Sequence, residues 1–334
     1  MPLLGASGVK ALVTGATGLV GHGVAKRLVE RGHTVRALVR DPVRAQSLLP
    51  SGVEPVVGDV TRLDSLRSAL AGVEWLFHSA GLPEQWQRDE GVFERVNRQG
   101  TACVFRAARE AGVKRVVYTS TMDVFAARRG GTVVEGPVDA VPKPTAYERS
   151  KVAAEREVET ARADGLDVVV MNPVAVYGPA PVVTGLNAAI VKLVKGQMPL
   201  LPPGGLSVVY VDGLADAHVA AAERGMSGAR YLVADGYLSL RELAEKVAGL
   251  VPGVRVPSSA PEWLLRGATW LMAGLARTFG FTPMLAPGEL EFVMWQARAD
   301  CGRAVRDLGF RPTPINDGLR RTVEHLRAAK AIAR

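Results

Sequence analysis

Short apolar runs alternate with longer amphipathic stretches along the first half of the chain. A short apolar run is typical of a buried strand, and apolar residues that recur every three or four positions are typical of a helix. The pattern predicts strands at 11–13, 34–39, 53–57, 75–78, 115–119 and 167–171, and helices at 19–31, 89–111 and 146–163. Strands and helices that alternate at this spacing predict an α/β fold with a doubly wound parallel sheet.

The pattern changes after residue 171, where prolines interrupt the chain between 173 and 203. Beyond residue 171 we predict strands at 208–211 and 231–233, and helices at 186–195, 240–250, 261–279, 287–297, 303–308 and 316–329. The chain is therefore expected to form a nucleotide-binding domain at 1–172 and a smaller, mostly helical substrate-binding lobe at 173–334. This lobe is expected to be interleaved with the last strands of the main sheet, at about 207–234.

The turn after the first strand carries the spacing Gly15-x-x-Gly18-x-x-Gly21, which departs from the usual G-x-G-x-x-G. Gly15 permits a tight turn, Gly18 lets the backbone approach a pyrophosphate, and Gly21 lets the helix pack closely on the strand. The helix N-terminus offers free N–H groups and a partial positive charge to phosphates. Strand, turn and helix together predict a Rossmann dinucleotide site, and its cofactor contacts are expected to include Thr17, Leu19 and Val20.

The end of the second strand bears on the choice of nicotinamide cofactor. An acid there favours the free ribose hydroxyl of NAD, whereas an arginine accommodates the 2′-phosphate of NADP. The sequence offers Arg40 and then Asp41, while Arg44 can add charge or simply lie in solvent. Because Arg40 comes first and can form paired hydrogen bonds to a phosphate, we predict NADP(H), with NAD(H) as the alternative. Asp59, after the third strand, either accepts from the adenine amino group or caps the helix at 61–70.

Tyr147 and Lys151 stand four positions apart in the predicted helix at 146–163, so their side chains share one face. A tyrosine titrates near pH ~10, and a neighbouring ammonium group brings the phenolate closer to neutral pH. Such a pair can protonate a carbonyl oxygen as a hydride arrives. A hydroxyl beyond the fifth strand can hold the same oxygen. Thr121 is preferred for this over Ser120, and capping of the strand end is expected for Thr119.

These features together resemble the extended short-chain dehydrogenase/reductases of the NAD-dependent epimerase/dehydratase superfamily. The resemblance covers essentially the whole chain and is carried by TGATGLVG, Gly58-Asp59-Val60, Phe77-His78-Ser79-Ala80, Asn97 with Gly100-Thr101, YTSTMDVF, YERSK, NPVAVYGP and VYVDGLADAH. Within the superfamily, VRALVRDP resembles the NADP-dependent branch of dihydroflavonol 4-reductases and 3β-hydroxysteroid dehydrogenase-like proteins.

The resemblance implies a role for individual residues. Thr121 would be the catalytic hydroxyl, at a position where serine is usual, Tyr147 the acid–base, and Lys151 its partner and a ligand of the nicotinamide ribose. Asn97 would hold the helix and a water relay near the active site. Further cofactor contacts are implied for Val60, Ser79, Ala80, Gly81, Pro173 and Val176. A homodimer is also implied, through helices near 94–111 and 146–163, with Cys103 as an apolar member of that surface.

The substrate pocket is expected to combine 83–88, Met122, Asp123, 182–187 and 261–281. Apolar and aromatic side chains in or beside these segments suggest an apolar or aromatic ligand, although core packing is the more usual role of each: Leu82, Trp86, Met122, Trp263, Trp270 and Met272. Asp123 is expected to tune the site, to bind a substrate hydroxyl, or to lie solvated in a loop. A stripe at helical spacing is expected to pack in the core or in a lid: Leu264, Ala268, Leu271, Leu275 and Phe279.

Composition narrows the classes of partner and compartment. The 334 residues are 48% hydrophobic and carry a formal charge of +8. The basic residues scatter over the helices, which predicts a solvated surface and no nucleic-acid partner. Cys103 and Cys301 lie far apart and fit a reducing compartment without a metal site. No signal-peptide pattern opens the chain, so a cytoplasmic location is expected. The apolar stretch at 263–275 is too short to span a bilayer, which leaves contact with a membrane surface open.

Three functions fit the sequence. The first is an NADPH-dependent reductase of a ketone or aldehyde on a medium-sized, largely apolar molecule of the dihydroflavonol, steroid or secondary-metabolite type, with the reverse oxidation open. The second is an NAD-dependent nucleotide-sugar epimerase or dehydratase. It would need an acid in place of Arg40 and a basic diphosphate site, for which Lys192 and Lys195 are weak candidates. The third is a non-catalytic NADP sensor, a class that typically lacks the Tyr-x-x-x-Lys pair.

Overall fold

The computed structural model describes residues 8–138 and 143–332. Its strands are β1 (Lys10–Thr14), β2 (Thr34–Val39), β3 (Val53–Val57), β4 (Trp75–His78), β5 (Arg115–Thr119), β6 (Thr132–Val133), β7 (Val168–Pro173), β8 (Ala175–Tyr177), β9 (Leu200–Leu201), β10 (Gly205–Tyr210), β11 (Arg230–Val233), β12 (Gly236–Ser239), β13 (Ser258–Ser259) and β14 (Arg298–Ala299). Its helices are α1 (Leu19–Glu30), α2 (Pro42–Gln46), α3 (Leu63–Ala69), α4 (Gly91–Phe93), α5 (Gly100–Glu110), α6 (Ala146–Ala163), α7 (Gly185–Val194), α8 (Val211–Arg224), α9 (Leu240–Leu250), α10 (Glu262–Phe279), α11 (Pro287–Trp295), α12 (Gly302–Leu308) and α13 (Ile315–Ala328).

A seven-stranded parallel sheet forms the centre of the molecule, in the order β11-β7-β5-β4-β1-β2-β3. The chain first builds outward from β1 to β3, then returns to the other side of β1 with β4. This reversal confirms the predicted doubly wound α/β fold. In such sheets the crevice at the carboxyl ends of the two strands flanking the reversal is the usual place for a ligand. Here those strands are β1 and β4.

Successive residues of the central strands face opposite layers of helices, and both layers are buried. Leu12, Leu76 and Val116 pack in a cluster with residues of α3, α5 and α6. The next residue of the same strands faces a second cluster that contains residues of α1 and α8. Because helices cover both faces of the sheet, the middle residues of its central strands are apolar and do not alternate between apolar and polar residues.

The second half of the chain forms its own small sheet. In it β10 runs parallel to β8 and antiparallel to β12. We expected the main sheet to take its last strands from about 207–234, and this is wrong for β10. Within 207–234 it is β11 that joins the main sheet. It lies beside β7 and pairs with Val170–Pro173 of that strand.

Two helices differ from their predictions. The helix expected at 89–111 consists of α4, a π-helix at Glu94–Gln99, and α5. In α10 the expected packing of the stripe in the core is wrong, because Leu264, Leu271 and Phe279 are exposed, while its role in a lid stays a prediction. The buried face carries the smaller set Leu265, Thr269, Ala273 and Ala276. In the part of the chain that the structure describes, no helix is both long and apolar enough to cross a bilayer.

Candidate active site

The glycine turn after β1 fits a pyrophosphate in its local geometry. Gly15 has a φ of +76°, and a Cβ there would lie 2.8 Å from the Ala80 nitrogen. A Cβ on Gly21 would lie 2.3 Å from the Gly15 carbonyl oxygen, so α1 packs directly on the turn. No side chain caps the N-terminus of α1 at Gly18, and its first turn carries no acidic residue. The turn therefore presents uncapped N–H groups where a dinucleotide's phosphates would bind.

A buried histidine joins the turn to the end of β4. The Thr14 hydroxyl lies 2.8 Å from Nδ1 of His78, whose Nε2 lies 3.0 Å from the Thr101 hydroxyl. The Ala80 N–H in turn donates to Thr14 over 3.1 Å. Burial, together with the Lys151 charge, lowers the pKa of His78 to about 3. His78 is therefore a neutral structural group that holds the two sides of the crevice together.

The predicted 2′-phosphate region lies at the end of β2. Arg40 and Arg44 are both exposed there. Asp41, the residue that favoured NAD, caps α2 by accepting from the backbone N–H of Arg44 over 3.1 Å. One oxygen of its carboxylate is therefore used in helix capping, and the Arg40 guanidinium is left at the surface.

Asp59 lies at the end of β3, close to the same region. One of its oxygens accepts from the N–H and the hydroxyl of Thr61 at 2.8 and 2.7 Å. Burial would raise the pKa of Asp59, but the Thr61 hydrogen bonds and the Arg40 charge bring it below its usual value. The N-cap of α3 is Arg62, so Asp59 makes a local turn and does not cap that helix.

The predicted catalytic pair lies at the start of α6. A capping box fixes this end, because the Thr145 hydroxyl accepts from the Glu148 N–H and the Glu148 carboxylate accepts from the Thr145 N–H, each over 3.0 Å. Tyr147 lies in the first turn, and its ring meets the edge of Phe93 with ring centroids 6.1 Å apart. The cap therefore determines where the phenol of Tyr147 is placed.

Lys151 is 6% exposed. Its ammonium donates to the Tyr118 hydroxyl over 3.1 Å and to the Thr119 carbonyl over 3.0 Å. Burial lowers the pKa of Lys151 to about 8, against the opposing effects of Glu155 and Asp123. The cation is thus held against the end of β5 by two acceptors.

The hydroxyl groups beyond β5 have different partners. Thr121 donates to Oδ2 of Asp123 over 2.9 Å. The expectation that Lys151 brings the Tyr147 phenolate closer to neutral pH is wrong, because burial and the Asp123 charge raise the pKa of Tyr147 well above its usual value, with the neighbouring Thr121 hydroxyl opposing that rise. The Ser120 hydroxyl is buried without a hydrogen-bond partner among the described residues. The structure thus brings Thr121, rather than Ser120, together with Tyr147.

Thr119, expected to cap the strand end, instead joins β4 to α8. Its hydroxyl lies 2.8 Å from that of Ser79 and 2.9 Å from Nε2 of His218. Nδ1 of His218 lies 2.8 Å from the Leu214 carbonyl oxygen. Because the pKa of His218 is lowered to about 4 by burial, the ring is neutral and donates through Nδ1. Ser79 is thereby fixed at the edge of the crevice.

A buried polar chain supports Thr121 from behind. Asn172, at the end of β7, donates to the Thr121 carbonyl over 3.0 Å and to Glu155 over 2.8 Å. Glu155 is fully buried in α6 and binds Arg230 of β11 over 2.8 Å. These contacts link three elements to the backbone of Thr121, so its position is set by the fold.

Asn97 fastens the loop after β4. Its side-chain oxygen accepts from the Leu82 N–H over 2.8 Å, and its amide nitrogen donates to the Leu82 carbonyl and to the Ser150 hydroxyl. The amide hydrogens are both used, and the side chain is 2% exposed. Through Ser150, the residue before Lys151, Asn97 therefore positions the loop against α6. A Cβ on Gly81 would contact the Asn97 side chain.

The predicted substrate side chains are only partly brought together. Met122 is buried in the core, and Trp263 and Trp270 are 74% and 80% exposed on the outer face of α10. Trp86 is half-buried, with the Arg277 guanidinium of α10 5.3 Å from its ring centroid. Asp123 lies beside Thr121 and is not a solvated loop residue. Two further predicted cofactor residues, Pro173 and Val176, lie at the end of β7 and in β8, and Leu19 and Val20 lie in the first turn of α1.

Glu84 is an acidic group near the site that lies in the predicted pocket segment 83–88 but was not singled out there. Burial raises the pKa of Glu84 to about 7, and the charges of Glu148 and Asp123 add to that rise. The Glu84 carboxylate lies against Gly288 at the start of α11. No motif marks Glu84 in the sequence. Tyr118 and Glu155 were also missed, although both lie in or beside segments that carried the resemblance.

The profile of the NAD dependent epimerase/dehydratase family matches residues 11–234. The chain belongs to this family. It is an extended short-chain dehydrogenase/reductase and hence an NAD(P)-dependent oxidoreductase, which binds a nicotinamide cofactor and acts on a small molecule.

Three relatives illustrate the match. A Synechocystis protein provisionally named a dihydroflavonol 4-reductase is 31% identical over 319 residues, covering 92% of this chain and 91% of its own. The 4-hydroxy-2-methyl-3-oxo-4-farnesyl-3,4-dihydroquinoline-1-oxide ketoreductase of Stigmatella aurantiaca is 32% identical over 232 residues, covering 68% and 69%. The crystal structure of gox2253 superposes with a TM-score of 0.78 at 30% identity, covering 96% of this chain and 99% of that one.

Proposed function

We propose that the protein is an NADPH-dependent reductase that converts a ketone or aldehyde on a largely apolar molecule to an alcohol. The observation that carries the proposal is the grouping of Tyr147, Thr121 and Lys151 at the carboxyl end of β5. This end lies beside β4, which together with β1 flanks the crevice. A reductase needs a proton donor, a second hydroxyl for the carbonyl oxygen, and a cation near both, and these three side chains supply them.

When bound, the nicotinamide would supply the hydride. Tyr147 keeps its proton at neutral pH because its pKa is raised, and it donates that proton to the carbonyl oxygen. The Thr121 hydroxyl, whose single proton is donated to Asp123 Oδ2 in this structure, holds the same oxygen by a hydrogen bond once that proton turns to it. The Lys151 cation lowers the energy of the phenolate that forms. Lys151 and the glycine turn after β1 would also hold the cofactor.

The names of the relatives support the choice of reductase. One is named a reductase of a dihydroflavonol and the other a ketoreductase of a farnesylated ring system. The acidic residues near the site also favour a reductase. The charges of Glu148 and Asp123 raise the pKa of Glu84, and the charge of Glu148 raises the pKa of Asp123. Lys192, a candidate ligand of a diphosphate, donates to the Met284 carbonyl over 3.1 Å. An acidic site suits a neutral ketone better than a nucleotide sugar.

The reductase is tested by the net consumption of NADPH. We expect absorbance at the NADPH band to fall when an apolar ketone such as 1-tetralone or flavanone is added, with one alcohol formed per NADPH. UDP-glucose should cause no change. Conversion of UDP-glucose without net loss of cofactor, together with inert ketones, would contradict the proposal and favour an epimerase.

Arg40→Ala tests the choice of NADPH over NADH. Arg40 is exposed at the end of β2 and Asp41 is engaged in capping α2, so Arg40 is left to bind the 2′-phosphate. Loss of a charge-assisted contact of ~1.5–3 kcal/mol should weaken NADPH binding by about 10- to 100-fold and leave NADH binding unchanged. Titration by cofactor fluorescence measures both. Arg106→Ala, on the exposed face of α5, is the control, and equal losses for the two cofactors would refute the assignment.

The pH profile tests the charge on Lys151. Because burial lowers its pKa to about 8, the free enzyme loses this cation as pH rises through that value. The ratio kcat/KM for NADPH reports the free enzyme and should fall about tenfold per pH unit above the pKa. In Lys151→Arg the charge persists, so whatever activity remains should show no such fall. Exposed Lys114→Arg should keep the wild-type profile. A wild-type profile that stays flat to pH ~10 would contradict this assignment.

A further inference from the structure

The outward side of α10 carries an unbroken apolar face. At about 100° of rotation per residue, six large side chains that are 38% to 80% exposed spread over about half of the helix circumference. They are the apolar face of α10: Trp263, Leu264, Trp270, Leu271, Leu275 and Phe279. The three charged residues of the helix lie outside this half: Glu262, Arg266 and Arg277.

This face differs from the ordinary scatter of apolar residues over a protein surface. More than half of the large apolar side chains that are exposed in the described ranges lie between residues 263 and 284. Phe281 and Met284 continue the face beyond the end of α10. Single exposed apolar residues are normal, whereas a contiguous apolar patch marks a place of binding.

The opposite side of α10 fixes the helix to the protein. Its buried residues are Leu265, Thr269, Ala273 and Ala276. Leu265 packs in one cluster with residues of α11. Because the helix is held in this way, it presents the apolar face outward without any change of fold.

The residue types of the face favour a lipid bilayer over a second protein surface. Helices that lie in the membrane interface carry Trp, Phe and Leu on one side, and tryptophan is enriched at that depth. The only polar atoms in the six side chains are the two indole nitrogens, whereas protein interfaces carry about one hydrogen bond per 100–200 Å². Trp263 and Trp270 are seven positions apart and therefore stand on the same edge, about 10 Å apart along the helix axis.

The charge at the C-terminal end of the face suits anionic headgroups. The Arg88 guanidinium lies 3.9 Å from the position of a Cβ on Gly280. Lys192 donates to the Met284 carbonyl over 3.1 Å. Neither of these cations forms an ion pair with a residue that the structure describes. Cations beside an apolar face attract anionic lipids to the same place.

We propose that α10 docks the protein on a lipid bilayer that contains anionic lipids. The helix lies parallel to the membrane plane, and its apolar face enters the boundary between headgroups and acyl chains. Docking does not depend on the reductase activity. It brings the predicted pocket segment 83–88 near the lipid, because the Arg277 guanidinium of α10 lies 5.3 Å from the ring centroid of Trp86.

The test is sedimentation of the full chain with sucrose-loaded vesicles of phosphatidylcholine and phosphatidylglycerol. The wild type should sediment with the vesicles. Trp263→Ser/Trp270→Ser should lower the partition coefficient at least about tenfold for each tryptophan removed, since each large side chain loses its apolar burial. Met226→Ser/Val305→Ser is the control, because it removes two exposed apolar side chains outside the face and should keep wild-type binding.

Quenching of tryptophan fluorescence tests the depth of the face. Vesicles brominated in the acyl chains should quench the wild type. Trp263→Phe/Trp270→Phe keeps the face apolar and should remain bound, yet it should lose most of the quenching. The tryptophans that remain in this variant are at most half-buried and lie outside the face: Trp75, Trp86 and Trp295.

Three results would overturn the proposal. The first is wild-type protein that stays in the supernatant. The second is equal binding of Trp263→Ser/Trp270→Ser and the wild type. The third is an oligomer in the absence of lipid that Trp263→Ser/Trp270→Ser dissociates, as measured by sedimentation velocity, because a second copy of the chain would then cover the face.

Discussion

Tyr147→Phe is expected to lower kcat/KM for a carbonyl substrate by about 10³- to 10⁴-fold, because it removes the only proton donor assigned to the carbonyl oxygen. The phenyl ring keeps its place against Phe93, and the capping box that fixes the start of α6 is formed by Thr145 and Glu148. The fold and the position of Lys151 should therefore persist. Affinity for NADPH should change by no more than about tenfold, since one lost hydrogen bond to a neutral group is worth about 0.5–1.5 kcal/mol.

The measurement pairs steady-state kinetics with NADPH titration on the same preparations. Tyr237→Phe is a matched control, because it removes a phenol in β12, outside the site. It should retain wild-type turnover. Full activity in Tyr147→Phe would show that another group supplies the proton, and loss of NADPH binding would show that Tyr147 acts on the cofactor.

Gly21→Ala is expected to destabilise the protein by about 2–3 kcal/mol, the cost of forcing extra volume into a packed interior. The new methyl group would lie 2.3 Å from the Gly15 carbonyl oxygen and 2.9 Å from the Ala16 nitrogen. These are backbone atoms and cannot rotate away, so α1 has to shift from the turn. Because that shift also moves the N–H groups proposed to bind phosphate, NADPH affinity should fall as well. Urea unfolding of the protein without cofactor measures the free energy of unfolding directly.

Gly267→Ala provides the matched substitution. Gly267 lies within α10, and a Cβ there meets nothing within 4 Å. Alanine should therefore raise the free energy of unfolding by about 0.5–1 kcal/mol, the usual difference between the two residues in a helix. If Gly21→Ala proves as stable as the wild type, the close packing of α1 on the turn is wrong.

The main sheet was predictable because its strands are apolar on both faces and its helices show a clear period. The region around α8 was not. Residues 211–224 form a helix in which nine residues are buried, because α8 lies between the sheet, α1 and α12. A helix covered on most sides keeps only a narrow polar row, here Asp212, Asp216 and Glu223, so the amphipathic period that indicates a helix is weak. Its alanines follow neither the helical nor the strand period.

The opposite difficulty affected α10. Its large apolar residues have helical spacing, which ordinarily marks the buried face. The structure instead buries a face of small residues, including Thr269, Ala273 and Ala276, and leaves Trp270 and Phe279 exposed. Packing against a close neighbour selects small side chains, and a single sequence does not show which face has that neighbour.

The site was predictable where residue type and spacing agree, as at Tyr147 and Lys151. It was not predictable where the partners are distant in sequence. Asp41 gave an ambiguous indication for NAD until its contact with the Arg44 N–H was known. Glu155 and Arg230 are 75 positions apart, yet together they support the strand end that carries Thr121. Such pairings depend on the topology of the sheet and leave no local pattern.

The most direct test of the proposed function is a single-turnover reaction with NADPH deuterated at the nicotinamide C4 position and an apolar ketone. We predict that each equivalent of NADPH consumed places one deuterium on the carbinol carbon of the alcohol. In Tyr147→Phe the same transfer should occur only at the strongly reduced rate. Product formed without net consumption of NADPH, or an alcohol without deuterium at that carbon, would contradict hydride transfer to a carbonyl as the activity of this protein.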